Sequence, residues 1–188
     1  MRAVFWAGKS SVLASLVMFI KKLIKRIIGK KSGVELAQSL GVRVGQRCKF
    51  IGVNKQTFGS EAYLIEIGDH VEISSGVRFF THDGGVWVFR ENEPDLDSFG
   101  TIVVGNNVFI GHGSVILKGA RISDNCVIGA GSVVIGEIPP NSVAAGVPAK
   151  VIKHISDYRS SVSKSSFQTK RMTREQKKAF LVEHFCAK

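Results

Sequence analysis

A six-residue repeat is the feature that most constrains how this 188-residue chain can fold. Residues 104–139 divide into the consecutive hexads VGNNVF, IGHGSV, ILKGAR, ISDNCV, IGAGSV and VIGEIP. The first position of each hexad is aliphatic, and the fourth reads Asn, Gly, Gly, Asn, Gly and Glu. Glycine and asparagine tolerate the positive φ angle of a tight turn. The repeat therefore predicts short strands, each with one buried aliphatic side chain, joined by tight bends.

Three such hexads make one closed coil of about 18 residues, and stacked coils form a parallel β-helix with a continuous aliphatic core. The same frame fits residues 67–84, which read IGDHVE, ISSGVR and FFTHDG. Residues 44–55 look like a further, degenerate turn of the coil. We therefore predict an all-β solenoid, a parallel β-helix, over residues 42–153.

The two blocks of hexads are out of phase, because Val104 lies 37 positions after Ile67, one more than a multiple of six. Residues 85–103 must therefore form an inserted loop, and this segment contains the polar, proline-containing run ENEPDLD. His82 occupies the fourth position of the hexad before the break, so we expect it at a corner of the coil with its side chain outward. Imidazole can be neutral near pH 7 and still accept a proton, so a histidine here is suited to general-base chemistry.

The basic charge of the chain is concentrated at its two ends. Residues 1–33 hold eight Lys/Arg and no acid, and residues 150–188 hold ten Lys/Arg and three acids. Residues 34–149 hold eight Lys/Arg and twelve acids, which disfavours a nucleic-acid-binding core. We expect a helical N-terminal segment over residues 1–41 and a basic tail with a short helix over residues 154–188.

Residues 20–31 alternate basic and apolar side chains at helical spacing, which predicts a basic amphipathic helix. Such a helix either lies in the interface of an anionic membrane or packs on the protein itself or a neighbouring subunit. The apolar run at residues 11–20 is shorter than the roughly 20 residues of a membrane-spanning helix. Three cysteines without C-x-x-C spacing indicate a reducing cytoplasm rather than a disulfide framework or a zinc site. The expected location is therefore the cytoplasm, at the inner face of the membrane if the helix binds there.

The hexads, followed by IPPNSVAAGVPAKVIK at residues 138–153, resemble the hexapeptide-repeat acyltransferases. The resemblance is strongest to sugar and polysaccharide O-acetyltransferases and to galactoside, maltose and xenobiotic acetyltransferases. It implies a left-handed β-helix, a homotrimer, and transfer of an acetyl group from acetyl-CoA. The expected function is O-acetylation of a sugar hydroxyl in surface polysaccharide biosynthesis, with a nucleotide-linked, lipid-linked or polymeric saccharide as acceptor.

The same resemblance implies roles for individual residues. His82 corresponds to the general base, while Asp83 either orients its ring, binds acceptor hydroxyls or caps the Asp-Gly turn. Three further candidates for the acceptor side are Glu66, Asp69 and Trp87, and the tryptophan either stacks on a sugar or packs against the adjacent subunit. The residues expected to contact coenzyme A share positions in a groove between coils or beside its phosphates: Gly111, His112, Ala130, Ile135, Gly136, Lys150 and Lys153.

Three alternatives stay open from the sequence. The enzyme could acetylate an amino sugar on nitrogen instead of a hydroxyl. A zinc enzyme similar to γ-class carbonic anhydrases would use His70, His82 and His112, but the paired histidines five positions apart are absent, so no metal is expected. A non-catalytic β-helix scaffold is the third alternative.

Overall fold

A computed structural model describes residues 31–186. Three α-helices lie near the ends of this range: α1 (Gly33–Ser39), α2 (Ile155–Ser165) and α3 (Arg174–Cys186). Three short 3-10 helices span Lys55–Thr57, Ala62–Leu64 and Gly84–Phe89. The strands are β1 (Arg43–Val44), β2 (Lys49–Phe50), β3 (Ile65–Ile67), β4 (Glu72–Ile73), β5 (Arg78–Phe80), β6 (Ile102–Val104), β7 (Phe109–Ile110), β8 (Val115–Leu117), β9 (Arg121–Ile122), β10 (Val127–Ile128), β11 (Val133–Val134), β12 (Glu137–Ile138), β13 (Ser142–Gly146) and β14 (Ala149–His154).

The strands form three sheets that the chain visits in turn. Sheet A has the order β1-β3-β6-β9-β12, sheet B the order β2-β4-β7-β10-β13-β14, and sheet C the order β5-β8-β11. Every strand pair is parallel except β13 with β14. The chain therefore winds as a three-sided parallel coil, with three corners at which it turns from one sheet to the next.

The first position of each hexad fills the interior of this coil, as the repeat predicts. The register pairs residues 18 positions apart, for example Ile110 with Ile128 and Ile116 with Val134. The first-position residues are at most 2% exposed in both blocks, and they are Ile67, Ile73, Phe79, Val104, Ile110, Ile116, Ile122, Ile128 and Val134. Burial of each such side chain stabilises the fold by about 1.5–3 kcal/mol.

The corners carry the predicted turn residues, with one exception. Asn107, Gly113, Gly119, Asn125 and Gly131 all have positive φ angles. Glu137, the fourth residue of the last hexad, instead lies in β12, and Gly136 takes the positive φ angle of its corner. Ile138 pairs with Ile122, only 16 positions earlier, so the last coil is two residues shorter than the regular coils of 18 residues.

The phase break corresponds to a loop that leaves the coil at a corner between sheets C and A. Ile67 pairs with Val104 across this loop, which matches the offset of 37 positions. At the neck of the loop, the Asp83 amide donates to the Ser98 carbonyl at 2.9 Å, and the Gly100 amide donates to the Thr81 carbonyl at 2.8 Å. Residues 83–99 therefore project from the coil, and β6 resumes it.

The two ends of the described chain differ from the coil. A capping box of Ser32 and Glu35 begins α1, whose Ala37 is buried against the first coil. At the other end, β13 and β14 form an antiparallel hairpin, followed by two helices of 11 and 13 residues rather than one short helix. The amphipathic helix predicted for residues 20–31 falls almost entirely outside the described residues. Within residues 31–186, no helix is long and apolar enough to cross a bilayer.

Candidate active site

His82 lies two residues after the end of β5, at the corner where the inserted loop leaves the coil. Two residues that precede it are buried in the core of the coil and hold the backbone in place: Phe79 is 1% exposed, and Thr81 is fully buried. The imidazole itself is 40% exposed. The break in the repeat therefore places a histidine on a rigid corner with part of its ring open to a ligand.

Glu61 supplies the carboxylate that contacts this histidine. Its Oε2 lies 2.9 Å from His82 Nδ1 and also accepts a hydrogen bond of 3.0 Å from the Thr81 hydroxyl. Hydrogen bonds from the Ser60 hydroxyl, His82 and Thr81 lower the pKa of Glu61 below its ordinary value. An ionised carboxylate can only accept, so Nδ1 carries a proton, and in the neutral form of the ring Nε2 has the free lone pair. The pair is thus arranged as an oriented general base.

Asp83 makes its hydrogen bond and its ion pair at the neck of the loop. Its Oδ1 accepts the Gly85 amide at 3.0 Å, and its Oδ2 lies 3.3 Å from Lys118 Nζ. The Gly85 amide and the Lys118 ammonium lower the pKa of Asp83. Of its three expected roles, the geometry supplies the cap of the Asp-Gly turn, and it assigns the contact with His82 to Glu61.

Trp87 lies in the 3-10 helix Gly84–Phe89, which forms the exposed tip of the inserted loop. The indole is 75% exposed, and Val88 and Phe89 beside it are 73% and 54% exposed. Within the described chain the tip contributes nothing to the core, so its apolar surface faces outward beyond the corner that carries His82.

The residues expected to contact coenzyme A occupy two corners on either side of sheet C. Gly111, His112 and Ala130 lie between β7 and β8 or β10 and β11, at the corner from sheet B to sheet C. Ile135 and Gly136 lie at the corner from sheet C to sheet A, the corner type that also carries His82. These two groups are therefore separated by the length of a short strand of sheet C.

Close stacking of the coils is visible at the first of these corners. A Cβ atom on Gly111 would lie 2.5 Å from the Ala130 amide nitrogen, so only glycine fits there. His112 Nδ1 lies 3.0 Å from the Ser75 hydroxyl of the coil below. The side chains of His112 and Ala130 are exposed, which leaves a shallow outer surface along the coils.

Lys150 and Lys153 lie on β14, the last strand of sheet B, and both are exposed. They stand opposite Ala145 and Val143 of β13. The structure therefore places two cations at the end of the coil, on a different face from His82.

Comparison with known proteins identifies the family of the chain. The family model for bacterial transferase hexapeptide repeats matches residues 101–136. The chain is 46% identical to the protein CapG of Staphylococcus aureus over 166 residues, which cover 88% of the chain and 96% of that protein. The chain belongs to the bacterial hexapeptide transferase family. This membership confirms the predicted family and the predicted class of acyltransferase.

Two further likenesses involve proteins that act on galactosides. The transferase is 46% identical to the galactoside O-acetyltransferase of Escherichia coli K12 over 95 residues, which cover 50% of the chain and 46% of that enzyme. A solved galactoside acetyltransferase in complex with coenzyme A is 35% identical, with a TM-score of 0.49, and the match covers 64% of the chain and 58% of that structure. The transferase therefore spans about half the length of these two relatives.

The other two predicted acceptor residues are Glu66 and Asp69. They lie on sheet A and at the corner that follows it, and both make contacts that hold the coils together. Glu66 in β3 pairs with Arg43 in β1 at 2.6 Å. Asp69 accepts the Gln46 amide at 2.8 Å through its side chain, and its own amide donates to the Asn106 side chain at 2.8 Å. Both carboxylates therefore tie adjacent coils together, and neither contacts His82.

The histidines of the zinc alternative do not converge within one transferase chain. His70 lies at the corner from sheet A to sheet B, His112 at the corner from B to C, and His82 at the corner from C to A. Among residues 31–186, no three His, Cys, Asp or Glu side chains are grouped closely enough to hold a metal ion.

Glu61 is a candidate site residue that the hexad pattern does not reveal. It lies between β2 and β3, where the first coil has two 3-10 helices in place of a sheet C strand. The hexad frame fails there, so it assigns no register to Glu61. One signal was available, since Glu61 precedes His82 by 21 positions, close to one coil of the repeat.

Proposed function

We propose that the transferase moves an acetyl group from acetyl-CoA to a sugar hydroxyl, with His82 as general base. The observation that carries this proposal is the hydrogen bond of 2.9 Å between Glu61 and His82 at an exposed corner. The named acetyl transfer of the galactoside relative supports the same reaction. A sugar acceptor in surface polysaccharide biosynthesis is the substrate class that fits this relationship and the sequence resemblance.

The chemistry follows from the state of the imidazole. His82 Nε2 removes the proton of the acceptor hydroxyl while that oxygen attacks the carbonyl carbon of the thioester. The positive charge that develops on the ring is stabilised by the Glu61 carboxylate at Nδ1. As the tetrahedral intermediate collapses, the proton passes from Nε2 to the departing thiolate, and an acetyl ester and a free thiol result.

Coenzyme A would lie along the outer surface of the coils. Gly111, His112 and Ala130 line one side of sheet C, and Ile135 and Gly136 line the other. Small residues and exposed backbone suit the hydrogen bonds of a pantetheine arm. Lys150 and Lys153 supply cations for the phosphorylated end.

The assembly we propose is a trimer of left-handed β-helices, as the family resemblance implies. The outer face of sheet C supports an assembled state, because Phe80 is 41% exposed and Ile135 is 57% exposed. Phe99 and the loop tip, with Trp87, extend this apolar surface. Contiguous exposed apolar surface marks an interaction site, and a neighbouring chain would cover it.

The proposed location is the cytoplasmic side of a membrane. This part of the proposal rests on the sequence of residues 1–33, with eight Lys/Arg and no acid. Such a segment attracts an anionic lipid surface.

A test of the function measures thiol release from acetyl-CoA with separate acceptors. The panel contains methyl galactoside, methyl glucoside, methyl mannoside, glucosamine, nucleotide sugars and lipid-linked saccharides, and mass spectrometry locates the acetyl group. We expect a product that carries an O-acetyl ester on one of the saccharides. A product acetylated only on the glucosamine nitrogen would reassign the acceptor atom, and no acetylated product with any acceptor would contradict the proposal.

A further inference from the structure

The neck of the inserted loop is tied to the coil beside His82. His82 and Phe99 form an isolated antiparallel bridge, and the amides of Asp83 and Gly100 close the neck on either side of it. These backbone contacts hold the two ends of the loop to each other. They do not by themselves fix the loop to the coil above.

Lys118 makes that second connection. It follows β8, one coil above Thr81, because Phe80 pairs with Leu117. Its Nζ donates to the Ser98 hydroxyl at 2.5 Å and lies 3.3 Å from Asp83 Oδ2. One ammonium group therefore contacts the residue at which the loop departs and a residue at which it returns.

The environment of Lys118 favours a stable contact with Asp83 and Ser98. The Lys118 side chain is 30% exposed, so water screens its charge only in part. Asp83 also accepts the Gly85 amide, which orients its carboxylate toward the first turn of the loop. A hydrogen bond to a charged group is stronger than one between neutral groups, and here two such contacts share one donor.

We propose that Lys118 is a positioning residue for acetyl transfer, which clamps the inserted loop in one conformation over the acceptor side of His82. This inference deepens the proposed function and rests on it. The loop carries the exposed Trp87 tip and begins one residue after the base, so a shift of its neck moves the wall of the acceptor site. A misplacement of about 1 Å in such a site lowers the rate by up to about 100-fold.

The test compares Lys118→Met with Lys118→Arg and with a matched control, Lys49→Met. Lys49 also pairs with a carboxylate on the coil, Glu72 at 3.2 Å, but on sheet B and far from the loop. Hydrogen–deuterium exchange of the full-length protein reports the loop directly, without any substrate. We expect amides of residues 83–100 to exchange about tenfold faster in Lys118→Met, to recover in Lys118→Arg, and to be unchanged in Lys49→Met.

The kinetic part separates the positioning of the acceptor from the base itself. Transfer of acetyl to methyl galactoside should fall by about 10- to 100-fold in kcat/KM in Lys118→Met, while slow hydrolysis of acetyl-CoA by water stays within about twofold. Unchanged exchange in Lys118→Met would overturn the clamp. Faster exchange with unchanged transfer would overturn its role in the reaction. If the wild type acetylates no saccharide, the proposed function fails, and the exchange data still decide whether Lys118 clamps the loop.

Discussion

The orientation of the proposed base, His82 paired with Glu61, depends on very few groups. The carboxylate accepts from His82 Nδ1 and from the buried Thr81 hydroxyl, so it is held from two directions. Both partners approach the same oxygen, Oε2. Loss of the charge on Glu61 would therefore disturb the tautomer of the ring and the support of its positive charge together.

Replacement of Glu61 by glutamine keeps the size of the side chain and removes its charge. We expect kcat for acetyl transfer to fall by about 10- to 10⁴-fold, the range seen when a partner that orients a functional histidine is changed. The matched control is Glu72→Gln, which removes a carboxylate paired with Lys49 on sheet B. Steady-state kinetics at pH 7 check the prediction. Equal kcat values in Glu61→Gln and the wild type would show that the carboxylate does not assist the base.

Glu61 also gives a prediction for the pH dependence of stability. Its pKa in the folded protein lies below the ordinary value of 4.5, mainly because of the Ser60 hydroxyl and His82. The stabilisation that it contributes is therefore complete above pH 4.5 and is lost as the pH falls through the folded pKa. Urea unfolding at fixed protein concentration should show a stability difference between wild type and Glu61→Gln that is kept from about pH 7 to about pH 4.5 and shrinks from there to about pH 3. A difference that stays constant over this range would contradict the assignment.

At the scale of elements, the corner from sheet A to sheet B is the most regular support of the coil. His70, Asn107, Asn125 and Asn141 stack there with positive φ angles. Their side chains form a continuous ladder, with distances of 2.8 Å, 2.8 Å and 3.1 Å between successive members. The asparagines therefore serve both the turn and the contact between coils.

Two substitutions of Asn125 separate these contributions. Asn125→Gly and Asn125→Ala both remove the ladder contacts, but only alanine must also adopt a φ angle of +57° with a Cβ atom. We expect Asn125→Ala to be less stable than Asn125→Gly by about 1 kcal/mol in chemical denaturation, because the strain exceeds the extra entropy that glycine loses. At Asn106, on the same corner without a positive φ angle, the order should reverse. The same order at both positions would contradict the role of the backbone angle.

The hexad frame explains which elements were predictable from the sequence. Strand register depends on one buried residue in six, so burial of residues such as Ile110 and Ile128 follows from the repeat. The frame failed where the coil changes length, as at Glu137, and where a coil lacks a strand, as at Glu61. His82 could be proposed from the sequence because it lies in the hexad at which the repeat breaks, whereas its carboxylate partner lies in the irregular first coil. The contact between Glu61 and His82 joins two coils of different length, so it depends on how the coils pack. A local repeat of six residues does not specify that packing.

At the scale of the whole molecule, the basic residues and the large exposed apolar side chains are concentrated in different parts of the chain. The middle of the chain, residues 34–149, is mildly acidic, and the basic residues are concentrated in residues 1–33 and 150–188. The outer face of sheet C and the inserted loop expose large apolar side chains. The apolar face suits association with other copies, and the basic ends suit anionic groups on cofactors or lipids.

Association into a trimer is a prediction at this scale. Static light scattering at micromolar concentration should give three times the chain mass of 20.4 kDa. Phe80→Glu together with Ile135→Glu places charges on the apolar face and should shift the mass toward one chain. A wild-type monomer that retains full acetyl-transfer activity would contradict the proposed assembly.

The central claim is that the break in the repeat places His82 as the base for acetyl transfer. The most direct test is the kcat of His82→Ala with the saccharide that turns over fastest in the acceptor panel. His70→Asn serves as the control, because it removes a histidine from another corner and leaves an asparagine like those stacked above it. The account predicts a kcat lower by about two to four decades in His82→Ala, with a nearly unchanged KM for acetyl-CoA and normal kinetics in the control. An unaltered kcat in His82→Ala would contradict it.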